Sequence, residues 1–344
     1  MRNLRIAITV DPDIPVPPKH YGGIERIVHL LACGLTERAH DVTLFADRDS
    51  RVPCRLIPYP KKTGNSASNL IRNAARITFE ARKGHFDLIH SFGRLAYLTT
   101  LLPFRIPKLM SYQRCITPRS VIWSTRLARG SLHFTACSRQ MTTPVRDLAS
   151  WHVVYNGVPL ERYQFQPVVA ADAPLVFLGR IEYIKGAHLA VEVAKRSGRK
   201  LVVAGNVPEG RKHAEYFDGE IKPHLDGERI SYIGPVDDSQ KNALLGGAAA
   251  LLMPVLWDEP FGIVMAESLA CGTPVVGLRR GAVPEVVEHG ASGFVCEGID
   301  ELTAAVARIG EIDRHACRRA MEDRFSGRAM VNGYLSIYQS VLAA

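Results

Sequence analysis

Along the chain, short runs of β-branched and aromatic residues alternate with segments whose apolar positions recur every three or four residues. Leu4–Val10, Val42–Phe45, Phe86–His90, Lys108–Ser111, His133–Cys137 and Val153–Tyr155 read as strands, and Ile24–Arg38 and Ser138–Ala149 as two of the amphipathic helices between them. The alternation predicts a parallel sheet with crossover helices. The pattern lapses over Phe165–Ala173 and restarts after Pro174, with LVFLG, KLVVAG, RISYIG, AALLMP and TPVVG as strands. Two α/β domains joined near residue 170 follow, 1–167 and 168–325. A last helix, Ser326–Leu342, ends the pattern, and its periodicity leaves open which half it packs on.

Composition fits that picture. The 344 residues are 47% apolar and 22% charged, enough to bury two cores, with no repeat and no low-complexity tract. MRNLRIAITVDPDIP suits a first strand rather than a signal peptide, because its β-branched run is short and ends in Asp and Pro. The longest apolar stretch, Ala243–Leu256, is broken by Gly and Pro and is too short to span a bilayer. Seven cysteines with no CxxC and no metal-type spacing read as reduced structural thiols of a cytoplasmic protein.

Charge separates the halves. Residues 1–167 hold 24 basic and 11 acidic side chains, a net of +13, whereas 168–325 hold 18 and 23, a net of −5. Between 88 and 146 stand nine Arg or Lys and no Asp or Glu. Such a block is either a solvated face or a surface that meets an anion.

Neither half carries GxGxxG after its first strand, which argues against a nicotinamide-dependent dehydrogenase, and no P-loop occurs. Three other features stand out. Gly22-Gly23 follows the loop DPDIPVPPKHY and opens a helix, whose first turn has unpaired N–H donors suited to an anion or simply makes a turn. Strand LVFLG ends at Gly179-Arg180 and is followed by IEYIKG, so Arg180 and Lys185 stand at the C-terminal edge of a parallel sheet, where a planar fork and a mobile ammonium can embrace a diphosphate. Finally, WDEPFGIVMAESLAC places Glu267 inside a helix that is otherwise apolar or small, with Glu259 near its start. A buried carboxylate requires donors. On a continuous helix the two Glu would lie about 80° apart around the axis and about 12 Å along it, a spacing for two polar groups on one extended ligand. A ribose diol would supply two donors to Glu267; a buried Arg or a backbone cap would serve structurally.

With these residues assembled, EPFGIVMAE, SLACGTPVVG and PEVVEHGASGFV resemble the retaining glycosyltransferases of the GT-B fold, family 4. The similarity extends to GGIERIVHLLACGLTERAHDVTLF, FDLIHSFG, VVYNGVPLERY, FLGRIEYIKG and YLSIYQSVL, and is densest from 175 to 298. The resemblance implies two Rossmann-like α/β/α domains facing each other across a cleft, the last helix (326–344) crossing back to the first domain. The second domain would hold a nucleotide-sugar donor, UDP- or GDP-linked, with no cofactor and no metal. By motif match, Arg180 and Lys185 would bind the diphosphate and share the catalysis with Glu259, which would take a donor-sugar hydroxyl. Glu267 would read the ribose, the backbone N–H groups of Phe261, Gly262 and Ile263 would hold sugar and phosphate, and Gly22 and Gly23 would let the first domain close on the diphosphate. His90 and Gln113 match positions that contact the sugar or acceptor, Gln113 standing where the family commonly has His, while a lone strand-end histidine such as His90 is more often a satisfied structural residue. A second departure is Arg280-Gly281 in place of a Gly pair. The acceptor, a glycan, glycolipid or small molecule, would lie in the first domain, whose basic block suits an anionic or lipid-linked acceptor or peripheral contact with the inner membrane face.

Other readings are a nucleotide-sugar epimerase or a phosphorylase on the same fold, which the Glu spacing and GRxxxxKG disfavour, and a non-catalytic sugar-nucleotide or nucleic-acid binding protein. Nucleic acid is not expected. The basic block has no RNA-binding or helix-turn-helix signature, and its aromatics Tyr97, Phe104, Tyr112, Trp123 and Phe134 fall in expected strands and helices, where core packing is their use. The loops around Asn206, Val236 and residues 59–69 would select base, sugar and acceptor, and no motif fixes them.

Overall fold

The computed structural model describes residues 2–18, 22–60, 66–84 and 86–343. Residues 19–21, just before Gly22, and 61–65, within the 59–69 loop, lie outside that description. The chain divides into two units, Met1–Gly157 with Gly327–Ala344, and Val158–Ser326.

Unit 1 holds a parallel sheet built from β1 (Arg5–Thr9), β2 (Asp41–Ala46), β3 (Arg55–Pro58), β4 (Leu88–Ser91), β5 (Lys108–Tyr112), β6 (Leu132–Ala136) and β7 (Trp151–Val153), in the order β3-β2-β1-β4-β5-β6-β7. β1 is buried at every residue but its first, so RIAIT reads as a near-continuous apolar run rather than an alternating one. β3 was not expected. Its sequence, RLIP, ends in a proline, which a sheet tolerates at the edge this strand occupies. The helix expected over Ser138–Ala149 is instead a 3-10 segment, Gln140–Val145, with Pro144 inside it removing an N–H that a longer helix would use. The terminal helix, Gly327–Ala343, belongs to this unit, where Arg38 of the Gly23–Thr36 helix donates to Asn332 Oδ1 at 3.0 Å.

Unit 2 holds β8 (Leu175–Leu178), β9 (Leu201–Ala204), β10 (Ile230–Tyr232), β11 (Ala250–Met253), β12 (Val275–Leu278) and β13 (Gly293–Cys296), parallel throughout, in the order β10-β9-β8-β11-β12-β13. β11 and β12 are buried along their whole length. Residues 158–166 fold here and not with unit 1 as the 167/168 boundary implied. Val158 N donates to Phe325 O at 2.9 Å and Gln166 N to Cys271 O at 3.0 Å. The buried Arg314 guanidinium donates to the carbonyls of Gln166 (2.6 Å), Gly246 and Ala248 (both 3.0 Å). No helix among the described residues is long and apolar enough to cross a membrane. The seven cysteines are free thiols. Burial pushes Cys271 and Cys317 up to about 12, so both stay protonated and unreactive.

Candidate active site

Open parallel sheets bind ligands beyond the C-terminal ends of their strands, where the strand order reverses. In unit 2 that point lies between β8 and β11. The loop after β8 carries Arg180 and a 3-10 turn, Tyr183–Lys185; the loop after β11 carries Trp257 and Glu259. The loops are fastened together by Leu256 N donating to Ile184 O at 2.9 Å and by the close approach of Gly186 to Pro254. At Gly186, φ is 76° and a Cβ would stand 2.0 Å from the Pro254 carbonyl oxygen, so only glycine fits. This juxtaposition delivers Lys185 to the buried Glu259. The Lys185 ammonium donates to Glu259 Oε2 at 2.5 Å, and Trp257 Nε1–H donates to the same oxygen at 2.9 Å. The ammonium also lies 4.9 Å from the centre of the Trp257 ring. From the β12 side, Ala282 N donates to Glu259 O at 2.9 Å. Gly281, with φ 51°, passes so close that a Cβ would sit 2.2 Å from Glu259 N. Of the Arg280-Gly281 pair, the glycine is therefore the member this contact demands.

Glu267 is buried in the Ile263–Ala270 helix. Its donors are Tyr163, whose hydroxyl donates to Oε1 at 2.6 Å, and Lys241, whose ammonium donates to the same oxygen. Lys241 Nζ stands 5.5 Å from the centre of the Tyr163 ring. Neither a buried Arg nor a backbone cap is involved. The two carboxylates thus have the same construction, one lysine and one aromatic donor converging on a single oxygen, with the lysine against the face of that aromatic ring. Among the described residues no hydrogen bond is made to Glu267 Oε2 or to Glu259 Oε1. Removing ionised groups from water costs several kcal/mol each, and a close counter-ion offsets that cost.

The helix begins at Ile263, with Gly262 as its N-cap at φ 70° and no side-chain cap, so it starts at the glycine that follows the WDEPF loop. Glu259 is consequently a loop residue whose direction is set by Lys185, Trp257 and Gly281, not by helical period. Phe261 is buried edge-on to Phe325, ring centres 5.7 Å apart, which anchors the chain just before the uncapped helix start. Arg180 forms an ion pair with the buried Glu182 at 2.8 Å. Each expected cation of the site is therefore already matched by a carboxylate.

In unit 1 the strand order reverses between β1 and β4. Gly22 caps the Gly23–Thr36 helix with φ 157°, and Glu25 is buried in the first turn. Burial raises the Glu25 carboxyl, and its nearness to the helix start means that an anion at Gly22-Gly23 would meet a carboxyl group. Asp11, just past β1, accepts from Arg94 N at 3.2 Å and lies 3.4 Å from the Arg114 guanidinium. Its carboxyl is raised because burial outweighs the pull of Arg114 and Arg94. His90 is held among structural partners. It is fully buried, Nδ1 sharing a hydrogen bond with the Tyr338 hydroxyl and Nε2 with Ser111 Oγ, both at 2.6 Å. Burial lowers its pKa to about 3, so the ring is neutral. Gln113 accepts from Asn156 Nδ2 at 2.8 Å, which joins it to the NGV stretch.

Sequence reasoning missed Tyr163, Lys241, Trp257, Glu182 and Asp11. Each is a partner supplied across sequence distance or a lone residue in a loop, and periodicity carries no signal for either. Two Asp-x-Asp pairs occur, Asp11/Asp13 and Asp47/Asp49. Asp11 is engaged by the arginines, and Asp47 Oδ1 accepts from Asp49 N in a turn at 2.8 Å. Among the described residues no group of three or more His, Cys, Asp or Glu is arranged to hold a metal.

Comparison with known proteins places this geometry. Residues 164–323 match the family model described as Glycosyl transferases group 1, and residues 21–162 that described as Glycosyltransferase Family 4. Glycogen synthase of Mycobacterium tuberculosis is 32% identical, the alignment covering 90% of this chain and 87% of that protein. AviGT4, a glycosyltransferase involved in avilamycin A biosynthesis, superposes with a TM-score of 0.76 at 25% identity, over 99% of this chain and 98% of its own. HepE of Anabaena, crystallised with UDP-glucose, superposes with a TM-score of 0.76 at 18% identity, over 98% of this chain and all of its own. The chain therefore belongs to the glycosyltransferases of the GT-B fold.

Proposed function

We propose that this enzyme transfers a sugar from a nucleotide donor, UDP- or GDP-linked, to an acceptor hydroxyl, with retention at the anomeric carbon and without a metal ion. The observation that carries the reading is the Lys185–Glu259–Trp257 cluster beside an uncapped helix start at the strand reversal of unit 2. Glu259 takes a donor-sugar hydroxyl on Oε1 as Lys185 turns toward the diphosphate. Arg180, Lys185 and the helix-start N–H groups of Phe261, Gly262 and Ile263 neutralise the charge that grows on the leaving group. Glu267 accepts ribose hydroxyls on Oε2, the oxygen its own donors leave open. The anomeric C–O bond to the diphosphate breaks, the acceptor oxygen bonds to that carbon from the same face, and its proton passes to the departing diphosphate. Unit 1 holds the acceptor, with Asp11 accepting a hydrogen bond from it. That a protein of the same fold binds UDP-glucose supports the donor class.

Thermal stabilisation against UDP-, GDP-, ADP- and dTDP-sugars, with and without EDTA, tests this. One nucleotide series should raise the melting temperature irrespective of chelator. Glu267→Gln should weaken that series by about 1.5–3 kcal/mol, the worth of a hydrogen bond to a charged group. Equal response of wild type and variant would remove the ribose from Glu267; a response that EDTA abolishes would end the metal-free mechanism.

A further inference from the structure

Two of the aromatics assigned to the core by sequence are on the surface. Trp123 is 37% exposed and Phe104 41%. Trp123 lies on the Pro118–Ala128 helix, which buries Val121, Ser124 and Ala128. A surface helix ordinarily shows polar residues opposite its buried stripe. This one shows Arg119, Ile122, Trp123, Arg126 and Leu127, with Ile122 36% and Leu127 48% exposed. Large apolar side chains and arginines share one face, within a segment that has no acidic residue from 88 to 146.

The face continues past the end of the helix. Ser131 Oγ donates to Phe104 O at 3.1 Å, which ties the 103–107 loop to the turn after the helix. From inside, the buried Lys108 ammonium donates to Phe104 O at 2.6 Å and Ile106 O at 2.8 Å, fixing that loop. Arg82 reaches over the Phe104 ring at 5.8 Å. Between loop and helix end lies a cavity of about 500 Å³ whose lining includes Arg105, Arg129, Ser131 and His133 and no carboxylate. It opens at the start of β5 and β6, the N-terminal edge of the sheet, whereas parallel-sheet active sites form at the C-terminal edge.

We propose that this face of unit 1 docks on an anionic lipid bilayer, Ile122, Trp123 and Leu127 entering the headgroup–acyl boundary while Arg105 and Arg129 receive a lipid phosphate in the cavity. Arginine with tryptophan and aliphatic side chains on one helix face is the composition that lies in such a boundary, because each has an apolar body and the cations meet the surface potential. The proposal uses no residue assigned to donor or acceptor and stands or falls independently of the transfer chemistry.

Vesicle flotation provides the test, with phosphatidylglycerol mixed into phosphatidylcholine against phosphatidylcholine alone. Wild type should float with the anionic vesicles, less so at raised salt. Arg119→Gln/Arg126→Gln should lower partition by about 30-fold, at about 1 kcal/mol for each cation near the surface. Trp123→Ser/Leu127→Ser should lower it on neutral-salt and high-salt vesicles alike. Both pairs replace exposed side chains, and unchanged melting temperatures would establish that they fold; Arg105→Gln, on the loop, gives an independent loss. Brominated acyl chains should quench tryptophan emission in wild type and lose that quenching in Trp123→Phe. Partition that ignores lipid charge, or that survives both double variants, overturns the proposal. So does concentration-dependent dimerisation abolished by Trp123→Ser without vesicle binding, or salt-sensitive retention of an RNA duplex with none on vesicles.

Discussion

The two sheets share a strand order up to the sixth strand, yet they carry polar residues in opposite places. In unit 2, strands β8, β11 and β12 are apolar (LVFL, ALLM, VVGL), and the charged groups lie in the loops beyond them or in the helix that follows. Unit 1 puts polar residues into the strands themselves. Thr9 donates to Ser91 Oγ at 2.8 Å, and His90, Ser111 and Thr135 form a buried chain that ends on Tyr338 and Tyr334 of the terminal helix. Buried polar groups must find partners. His90 and Ser111 find them in a helix more than two hundred residues away, and so specify which segment completes the unit. The pairs of unit 2 sit at the mouth of the sheet, where a ligand can replace one partner without exposing the other. One sheet uses its polar residues for assembly; the other keeps its charged pairs at its mouth.

The comparison breaks most readily at Lys185. If the mouth of unit 2 serves the leaving group, Lys185→Ala should lower turnover at saturating donor by about 10²–10³. A conservative change within the unit 1 chain, Tyr338→Phe, should leave turnover intact and lower only the melting temperature. Initial-rate measurements on the two variants check this. Equal losses would mean that Lys185 acts through folding alone, with Glu259 left buried and unpaired.

The two regions also differed in how far sequence revealed them. In unit 2 the strand runs, Arg180, Lys185, Glu259 and Glu267 were all visible, because a charge in an apolar run announces itself. Its partners were not visible. Lys241 is one lysine on a helix of mixed character, and Tyr163 sits in a stretch without periodicity, so only the folded chain brings them to Glu267. Gly262 marked the helix start, which leaves Glu259 in the loop before it, so the 80° and 12 Å separation of a continuous helix does not describe the two Glu. In unit 1, a strand-end histidine looks identical whether it meets a sugar or a tyrosine from the far terminus, so sequence leaves both readings of His90 open, the structural one being the commoner. Sequence assigned Trp123 to core packing, but the solvent face of its helix is apolar, and the rule that apolar side chains turn inward fails there.

Acid should separate the units next. His90 is lowered to about 3 in the folded chain by burial, against its ordinary value near 6.5 in the unfolded one. The unfolded chain therefore binds the additional proton between those values, and stability is lost as pH falls through that window. Unit 1 should lose about 2 kcal/mol from this group between pH 6.5 and pH 4.5, the slope approaching about 1.4 kcal/mol per pH unit below pH 6. Urea unfolding at a series of pH values measures it. In His90→Asn the slope across this range should flatten, while probes of unit 2 keep theirs. A wild-type slope in the variant would place the acid sensitivity elsewhere.

The smallest expected effect bears most closely on what the mouth of unit 2 is for. Trp257→Phe removes the N–H that donates to Glu259 Oε2 but keeps an aromatic face beside Lys185. Glu259 retains its lysine, so the carboxylate stays paired and the fold should keep its unfolding free energy within about 1 kcal/mol. Donor binding should respond differently. With one fewer anchor on Oε2, the carboxylate is held less firmly toward a sugar hydroxyl, and a hydrogen bond of ordinary strength, about 0.5–1.5 kcal/mol, is at stake. That corresponds to a rise in donor KM of about two- to twelvefold with the free nucleotide diphosphate bound as before. The split between sugar and nucleotide is the informative part. Loss of both together would make Trp257 a wall of the nucleotide site, whereas loss of the sugar contact alone ties the indole N–H to the orientation of Glu259.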